Sequence, residues 1–177
     1  MNVLVFWDKD SSSNLSYDLK IKVENVLKTT GYRFEIVEVG KKDVIPCTGC
    51  LVCWIQNTGI CVNKDLMSEV NKRIKDFEII LYLGPIVFGQ YTSPIKNVID
   101  KGQIIHISRL GRIPLFIAIG YGEDVNEEEK NTFFDIFRKH RGASNIVHPL
   151  LKERTEIFAT SSTDENTKVV NAVGNII

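Results

Sequence analysis

The 177-residue sequence contains no apolar run of about 18 residues, the length that a transmembrane helix needs. It has no surplus of either charge, because 22 basic residues balance 22 acidic ones. Proteins that coat nucleic acid need a basic surplus to neutralise phosphates. No cationic segment precedes the apolar residues 2–7 and no small-residue cleavage site follows them, so the start is not typical of a signal peptide. We therefore expect a cytoplasmic protein that binds neither membrane nor nucleic acid.

The composition is that of an ordinary globular protein, with 44% hydrophobic and 25% charged residues, and this excludes a disordered chain. At about 150 residues per domain, the length predicts a single domain over residues 1–177. No internal repeat, low-complexity tract or linker interrupts the sequence. The chain is long enough to bury a core without disulfides, and cytosolic thiols more often bind metals or serve catalysis than form disulfides.

Strand-like and helix-like segments alternate along the chain. Short apolar stretches predict buried strands at residues 3–7, 33–39, 77–83, 114–119 and 145–151, with a weaker strand pattern at 155–159. Helical spacing of apolar residues predicts helices at 15–30, 64–76, 93–101, 126–139 and 163–173, with Asn126 as a cap. The alternation predicts an α/β fold, a doubly wound five-stranded parallel sheet with helices on both faces. Ligands of such folds bind outside the carboxyl ends of the strands.

The loop after the first strand is dense in serine, with Ser11, Ser12 and Ser13 followed by Ser16 in the helix. A strand-to-helix loop presents free backbone N–H groups and the positive end of a helix dipole, which suits a phosphate. The loop has no glycine, so it matches neither the dinucleotide fingerprint nor the Walker loop. The alternative interpretation is a serine-rich turn in which one residue caps the helix.

All four cysteines lie within 15 consecutive positions, 47 to 61. Three thiols at three-residue spacing and a fourth further on resemble the compact iron–sulfur pattern, whereas zinc sites more often use two separated pairs. The candidate metal ligands are Cys47, Cys50, Cys53 and Cys61. If they bind no metal, at least one of the first three is expected to be buried as a small apolar side chain.

Two further loops combine glycine with aromatic residues. In residues 84–92, apolar side chains between Gly84 and Gly89 offer a flat dry wall, and Phe88 and Tyr91 are available to lie near a planar ring. The alternative is a hydrophobic loop that packs beneath the cysteine segment. Residues 120–122, Gly-Tyr-Gly, suit contact with a ring edge, but a tight turn into the next helix has the same pattern.

Two stretches together resemble a known family. One reads Ile-Pro-Cys-Thr-Gly-Cys at residues 45–50 and continues through Cys53 and Cys61 to residues 64–67. The other reads Gly-Pro-Ile-Val-Phe-Gly at residues 84–89 and continues to residue 101. With them the chain resembles the flavodoxin-like NADPH-dependent FMN reductases, and within these the branch that includes iron–sulfur flavoproteins.

The resemblance implies a flavodoxin-like fold that binds FMN non-covalently. It places the phosphate in the first loop and the isoalloxazine ring against residues 85–89, with the loop at residues 120–122 closing on the ring. It also implies a homodimer or homotetramer and NAD(P)H as hydride donor to the flavin. The implied FMN-binding residues are Ser11, Ser13, Asn14, Leu15, Ser16, Pro85, Ile86, Val87, Phe88, Gly89, Gly120, Tyr121 and Gly122.

The first loop departs from the family's usual Gly-Ser-Pro-Arg type. It carries Asp8 and Asp10, whose side chains would repel a phosphate if they pointed inward, and Lys9 is its nearest cation.

The predicted function is that of an NAD(P)H-dependent, FMN-dependent oxidoreductase acting on a small-molecule redox substrate or an electron-transfer partner. FMN carries the chemistry, so we expect no catalytic side chain, and we expect surface or capping roles for His106, His140 and His148. One alternative is an electron carrier with a 4Fe–4S cluster on the four cysteines. The other is a non-enzymatic interaction module in which the cysteines hold zinc.

Overall fold

The computed structural model describes residues 1–57, 60–108, 114–144 and 154–177, with only the backbone of Trp54 and of residues 103–108 and 140–144. The strands in this part of the chain are β1 (Asn2–Asp8), β2 (Arg33–Val39), β3 (Ile79–Val87), β4 (Gln90–Tyr91), β5 (Leu115–Tyr121) and β6 (Thr155–Thr160). Its α-helices are α1 (Asn14–Thr29), α2 (Val52–Ile55), α3 (Leu66–Arg73), α4 (Ser93–Ser108), α5 (Glu127–Ser144) and α6 (Thr163–Ile176), and a 3₁₀ turn (Ile74–Asp76) follows α3.

Five strands pair in parallel in the order β2-β1-β3-β5-β6, and the two-residue strand β4 folds back antiparallel on the end of β3. This confirms the predicted doubly wound sheet. The predicted strand at residues 145–151 lies outside the described residues. The fifth parallel strand is β6, where the sequence pattern is weak. Five of its six residues are only half-buried, because an edge strand does not need a continuous apolar run.

Alternate residues of each strand enter one of two cores. From β1, Leu4 and Phe6 pack in the core that α3, α4 and α5 cover, while Val3 and Val5 pack in the core beneath α1 and α6. All four are fully buried. Complete burial of a side chain of this size contributes roughly 1.5–3 kcal/mol. The central strands therefore read as continuous apolar runs, which is why the sequence predicts them well.

Short polar side chains fix where the helices begin. Asn126 Oδ1 accepts the Glu129 amide at 2.9 Å, and a Glu129 carboxylate oxygen accepts the Asn126 amide at 3.3 Å, so the predicted cap is confirmed as a reciprocal capping box. Ser162 caps α6 through the Glu165 amide. Helix α4 extends to Ser108, beyond the predicted end at residue 101.

No α-helix in the described segments is both long and apolar enough to cross a membrane.

The strand order reverses between β1 and β3. The chain leaves β1 for β2 on one side and then passes to β3 on the other. Such a switch point opens a crevice outside the carboxyl ends of the two strands. Here the edges of that crevice are the loop after Asp8 and the hairpin formed by β3 and β4, which are the first and third loops singled out in the sequence.

Candidate functional site

Asp8 and Thr92 join the two edges of the crevice. The Asp8 side chain is 1% exposed, and one carboxylate oxygen accepts the hydroxyl proton of Thr92. The other oxygen accepts the backbone N–H of Asp10 at 3.0 Å, and the Ser11 amide also donates to this carboxyl. Burial raises the pKa of Asp8, and it outweighs these hydrogen bonds, which act to lower that pKa. The Asp8 carboxyl thus already accepts hydrogen bonds from two backbone N–H groups of the predicted phosphate loop.

The other charged residues of this loop turn toward the segment after β2. Lys9 forms an ion pair with Asp43 at 2.5 Å, and Asp10 accepts the backbone N–H of Lys41 at 2.7 Å. Asp8 is therefore the acid that points inward, while Asp10 points toward the start of the cysteine segment.

The N-terminus of α1 is the part of the loop that remains suited to an anion. Ser13 caps the helix, because its hydroxyl accepts the Ser16 amide at 3.1 Å, as the capping alternative predicts. The N–H groups of Ser13, Asn14 and Leu15 have no carbonyl partner within the helix, as in any first turn. Ser12 and Asn14 are exposed beside them.

Beneath this helix end lies a buried polar relay. Trp7 Nε1 donates to the Ser16 hydroxyl at 3.1 Å, and that hydroxyl donates to the Tyr121 hydroxyl at 2.8 Å. Burial raises the pKa of Tyr121 to about 12. The Ser16 hydroxyl is therefore used inside the protein in this structure, and its contact with a phosphate stays a prediction. Leu15 is buried as well, so the side chains of Leu15 and Ser16 both pack inside the protein beneath the loop.

Phe88 and Gly89 form the tight turn between β3 and β4. Val87 pairs with Gln90, and the two turn residues have φ of 51° and 73°, the positive values typical of a two-residue hairpin turn. A left-handed conformation costs roughly 1–2 kcal/mol for a residue with a side chain. Phe88 adopts it and is 85% exposed. A strained turn thus presents an aromatic ring, beside the 47% exposed Val87, at the predicted ring platform.

The other platform residues are less accessible. Pro85 is half-buried and Ile86 is 5% exposed. The expectation that Tyr91 lies near a bound ring is wrong, because its ring packs against Phe133 at 4.9 Å between centroids and its hydroxyl donates to the Tyr82 carbonyl. Tyr91 belongs to the core under the hairpin.

The glycines of the fourth loop make room for side chains of this chain. A Cβ on Gly120 would lie 2.5 Å from a side-chain carbon of Ile86, and a Cβ on Gly122 would lie 2.5 Å from a side-chain carbon of Val125. Both glycines thus permit close internal packing, which favours the tight-turn alternative for this loop. Contacts of Gly120, Tyr121 and Gly122 with a flavin stay a prediction.

Two residues of α4 anchor the entry to the cysteine segment. Asn97 donates to the Val44 carbonyl at 3.3 Å, and Lys101, one turn later, forms an ion pair with Asp65. Asp65 caps α3 and also accepts the backbone N–H of Ile45 at 2.9 Å. The side chains of Lys101 and Asp65 are 1% and 5% exposed. These anchors hold the segment against the same edge of the sheet as the other three loops.

The four thiols are free, and none of them is buried. Cys47 and Cys50 are exposed, while Cys53 and Cys61 are half-buried. That at least one of the first three is packed as a small apolar side chain when no metal is bound stays a prediction. Burial raises the pKa of Cys53, and the neighbouring thiols, Cys61 foremost, raise it further. Within the described ranges, no three His, Cys, Asp or Glu side chains form a group that could hold a metal ion.

The sequence does not indicate the roles of Thr92, Asn97 and Lys101, and it shows Asp8 only as a charge. Asp8 could have been found, because it ends an apolar strand at the switch point. The polar residues of α4 carry no such signal, since only tertiary packing turns them toward the cysteine segment. The side chains of His106 and His140, and the whole of His148, lie outside the described residues.

Known proteins resemble this chain in sequence and in fold. The NADPH-dependent FMN reductase family matches residues 1–148. An iron–sulfur flavoprotein from Methanocaldococcus jannaschii is 25% identical over 112 residues, which are 63% of this chain and 57% of that protein. The chain thus spans little more than half the length of this curated relative. The family match confirms the resemblance stated from the sequence.

Two solved structures share the fold. An NAD(P)H:quinone oxidoreductase from Methanothermobacter marburgensis is 13% identical, with a TM-score of 0.66 over 98% of this chain and 95% of that chain. An FMN-dependent NADH-azoreductase from Bacillus anthracis, in complex with FMN, is 14% identical, with a TM-score of 0.66 over 99% of this chain and 98% of that chain. At these identities the likeness shows the flavodoxin-like fold alone.

Proposed function

Because the chain belongs to the NADPH-dependent FMN reductase family, we propose that it is an FMN-dependent oxidoreductase that accepts hydride from a reduced pyridine nucleotide. The observation that carries the proposal is the exposed Phe88 ring, held in a strained turn beside the switch-point crevice. Backbone strain concentrates at binding sites, where the surrounding structure holds it in place. The shared fold of the azoreductase that contains FMN supports the same function.

The described residues fit FMN at two places. The N–H groups at the start of α1 and the hydroxyls of Ser12 and Ser13 suit the phosphate. Phe88 and Val87 suit one face of the ring, because aromatic side chains stack on flat π-systems. The Asp8 carboxyl already accepts the Asp10 and Ser11 amides and would repel a phosphate placed there. The fit is therefore to a phosphate at the helix end rather than among the Asp10 and Ser11 amides.

FMN supplies the redox chemistry, accepting a hydride and passing its electrons to a second substrate. This chain's residues bind and orient the group. The hairpin limits water on one side of the ring, and the Ser16–Tyr121 relay holds the helix end in place. A small-molecule redox substrate follows from this chemistry, and no side chain is required to move a proton in the hydride step. We also propose the homodimer or homotetramer and the single domain that the sequence predicts.

The test is titration of apoprotein with FMN, followed by anaerobic mixing with NADH or NADPH. We expect quenching of flavin fluorescence at micromolar FMN and oxidation of the nucleotide only when FMN is bound. A protein that binds no FMN, or that binds FMN and leaves both nucleotides unoxidised, contradicts the proposal. Size-exclusion chromatography with light scattering gives the oligomeric state.

The exposed thiols favour a second candidate, an electron carrier in which Cys47, Cys50, Cys53 and Cys61 hold a 4Fe–4S cluster. None of them packs in the core, and the relative from M. jannaschii is an iron–sulfur flavoprotein. Iron and sulfide assays on anaerobically purified protein decide. Roughly four irons per chain supports the carrier, whereas zinc without flavin supports the interaction module. No metal, with FMN retained and nucleotide oxidised, supports the reductase.

A further inference from the structure

The cation of the first loop is held by another part of this chain. Lys9 is the only basic residue among residues 8–16, and its ammonium lies 2.5 Å from a carboxylate oxygen of Asp43. The Lys9 stem packs across Gly40, since a Cβ at that position would lie 2.8 Å from Lys9 Cε. The side chain of Lys9 is therefore held toward the segment that follows β2.

The acids and two of the hydroxyls of the same loop are also engaged. Asp8 accepts the Asp10 and Ser11 amides, and Asp10 accepts a backbone N–H of the segment after β2 at 2.7 Å. The Ser11 and Ser16 side chains both form hydrogen bonds with the Tyr121 hydroxyl. Most of the polar groups that could contact a phosphate thus have partners within the chain.

The groups that remain for a phosphate carry no net charge. They are the N–H groups at the start of α1, residues 13–15, and the hydroxyls of Ser12 and Ser13. A neutral donor attracts a phosphate less strongly than an ammonium or a guanidinium group does, because it lacks a full charge. The two acidic residues of the loop add repulsion. We therefore expect the phosphate to contribute little to the binding of a flavin.

We propose that this chain recognises its flavin by the ring rather than by the phosphate, and that riboflavin is a second ligand of the same site. The ring platform is accessible, since Phe88 is 85% exposed and Val87 is 47% exposed. Riboflavin carries the same ring as FMN and lacks only the phosphate, so it offers the hairpin the same aromatic surface. The inference rests on the proposed function, because it names the flavins that the proposed site takes.

The test compares the Kd of riboflavin with the Kd of FMN, both measured by fluorescence titration of the apoprotein. We expect the riboflavin Kd to exceed the FMN Kd by less than about tenfold. This ratio should change little between about 0.05 and 0.5 M salt, because no ammonium group pairs with the phosphate. A larger ratio, or one that falls steeply with added salt, overturns the inference.

Lysine variants show whether a cation binds the phosphate after all. Lys9→Met should leave the FMN affinity nearly unchanged, as should Lys20→Met, whose ammonium pairs with Glu38 at 2.9 Å and serves as the matched control. The double variant of the exposed Lys41 and Lys42 to Met should behave alike. If Lys9→Met or the double variant weakens FMN about tenfold while riboflavin and Lys20→Met are unaffected, a lysine binds the phosphate and the inference is wrong.

Two further variants separate the phosphate from the ring. Asp8→Asn removes an acid from the phosphate loop, so it should tighten FMN binding, leave riboflavin binding unchanged and raise the ratio roughly tenfold. Phe88→Asn removes the ring of the platform, so it should weaken both flavins by the same factor and leave the ratio unchanged. An effect of Phe88→Asn that is confined to FMN overturns the inference.

Anaerobic mixing with NADH or NADPH distinguishes this inference from the proposed function. Binding of both flavins within about tenfold, without oxidation of either nucleotide, overturns the proposed function alone. Tight FMN binding with nucleotide oxidation, but with riboflavin bound much more than tenfold weaker, overturns the inference alone. A protein that binds neither flavin overturns both.

Discussion

The Lys101 ammonium and the Asp65 carboxylate form a buried ion pair beneath the entry to the cysteine segment. The same carboxylate accepts the Ile45 amide and caps α3. One acid thus ties together a helix start, a second helix and the chain just before Cys47. Together with the hydrogen bond from Asn97 to the Val44 carbonyl, this side chain anchors the entry to the cysteine segment, and the sequence shows it only as an isolated aspartate.

Lys101→Met should be strongly destabilising, because it leaves the Asp65 charge buried without its partner. Breaking a buried pair in this way costs about 3–5 kcal/mol, measurable by urea denaturation. Hydrogen exchange at the Ile45 amide should accelerate as well, since the segment loses an anchor. The double variant Asp65→Asn with Lys101→Met removes both charges and keeps a cap, so it should recover most of the loss. A double variant no more stable than Lys101→Met would contradict the pairing.

Asp8→Asn should stabilise the protein at neutral pH. The pKa of Asp8 is raised above 3.8 by burial, so the folded state holds the proton more tightly than the unfolded state. The wild-type free energy of unfolding therefore falls as pH rises from 3.8 through the folded pKa. Asp8→Asn has no such carboxyl to ionise. The excess of its free energy of unfolding over that of the wild type, measured by urea denaturation, should therefore be larger at about pH 7 than at about pH 4. An advantage that is equal at both pH values would show that burial of the charge is not the cause.

The same substitution should strengthen FMN binding, because it removes the inward-facing acid from the phosphate loop. We expect roughly a tenfold lower Kd at neutral pH, measured by fluorescence titration. Asp10→Asn is the matched control, since Asp10 faces Lys41 and its change should have little effect on FMN. If both substitutions act alike, net charge rather than position is responsible.

Ser13→Asp should weaken FMN binding without weakening the fold. Aspartate caps helices as well as serine does, so α1 keeps its start while a negative charge enters the phosphate site. We expect at least a tenfold higher Kd for FMN and an unchanged urea midpoint. Ser13→Asn caps the helix without charge and should bind FMN as the wild type does. A phosphate bound elsewhere would leave the affinity of Ser13→Asp intact.

Phe88→Asn should change stability and FMN affinity in opposite directions. Asparagine tolerates positive φ better than phenylalanine does, so the free energy of unfolding should rise by about 0.5–1 kcal/mol. Loss of the ring should raise the Kd for FMN roughly five- to tenfold. Phe88→Tyr keeps the ring and should retain the wild-type affinity. A rise in stability with unchanged FMN binding would show that Phe88 is not part of the ring platform.

Much of the fold follows from the sequence. The central strands β1, β3 and β5 are buried on both faces, so apolar runs suffice to predict them. Helix starts such as Ser13 and Asn126 depend on hydrogen bonds within three residues, which are local. The weaker strand β6 lies at the sheet edge, where half-burial relaxes the pattern. The sequence also indicated the four loops, because the carboxyl ends of parallel strands meet at one edge whatever the side chains are.

What the tertiary structure alone decided is the direction in which polar side chains point. Asp8 turns into the loop and Asp10 away from it, although both stand in the same short stretch. Phe88 lies in the two-residue turn and faces solvent, whereas Tyr91 follows the turn, pairs with Ile86 and enters the core. Asn71 has no hydrogen-bond partner among the described residues while Asn97 donates to a carbonyl, although both are helical asparagines. These differences arise from contacts between segments distant along the chain, and no local pattern of residues specifies them.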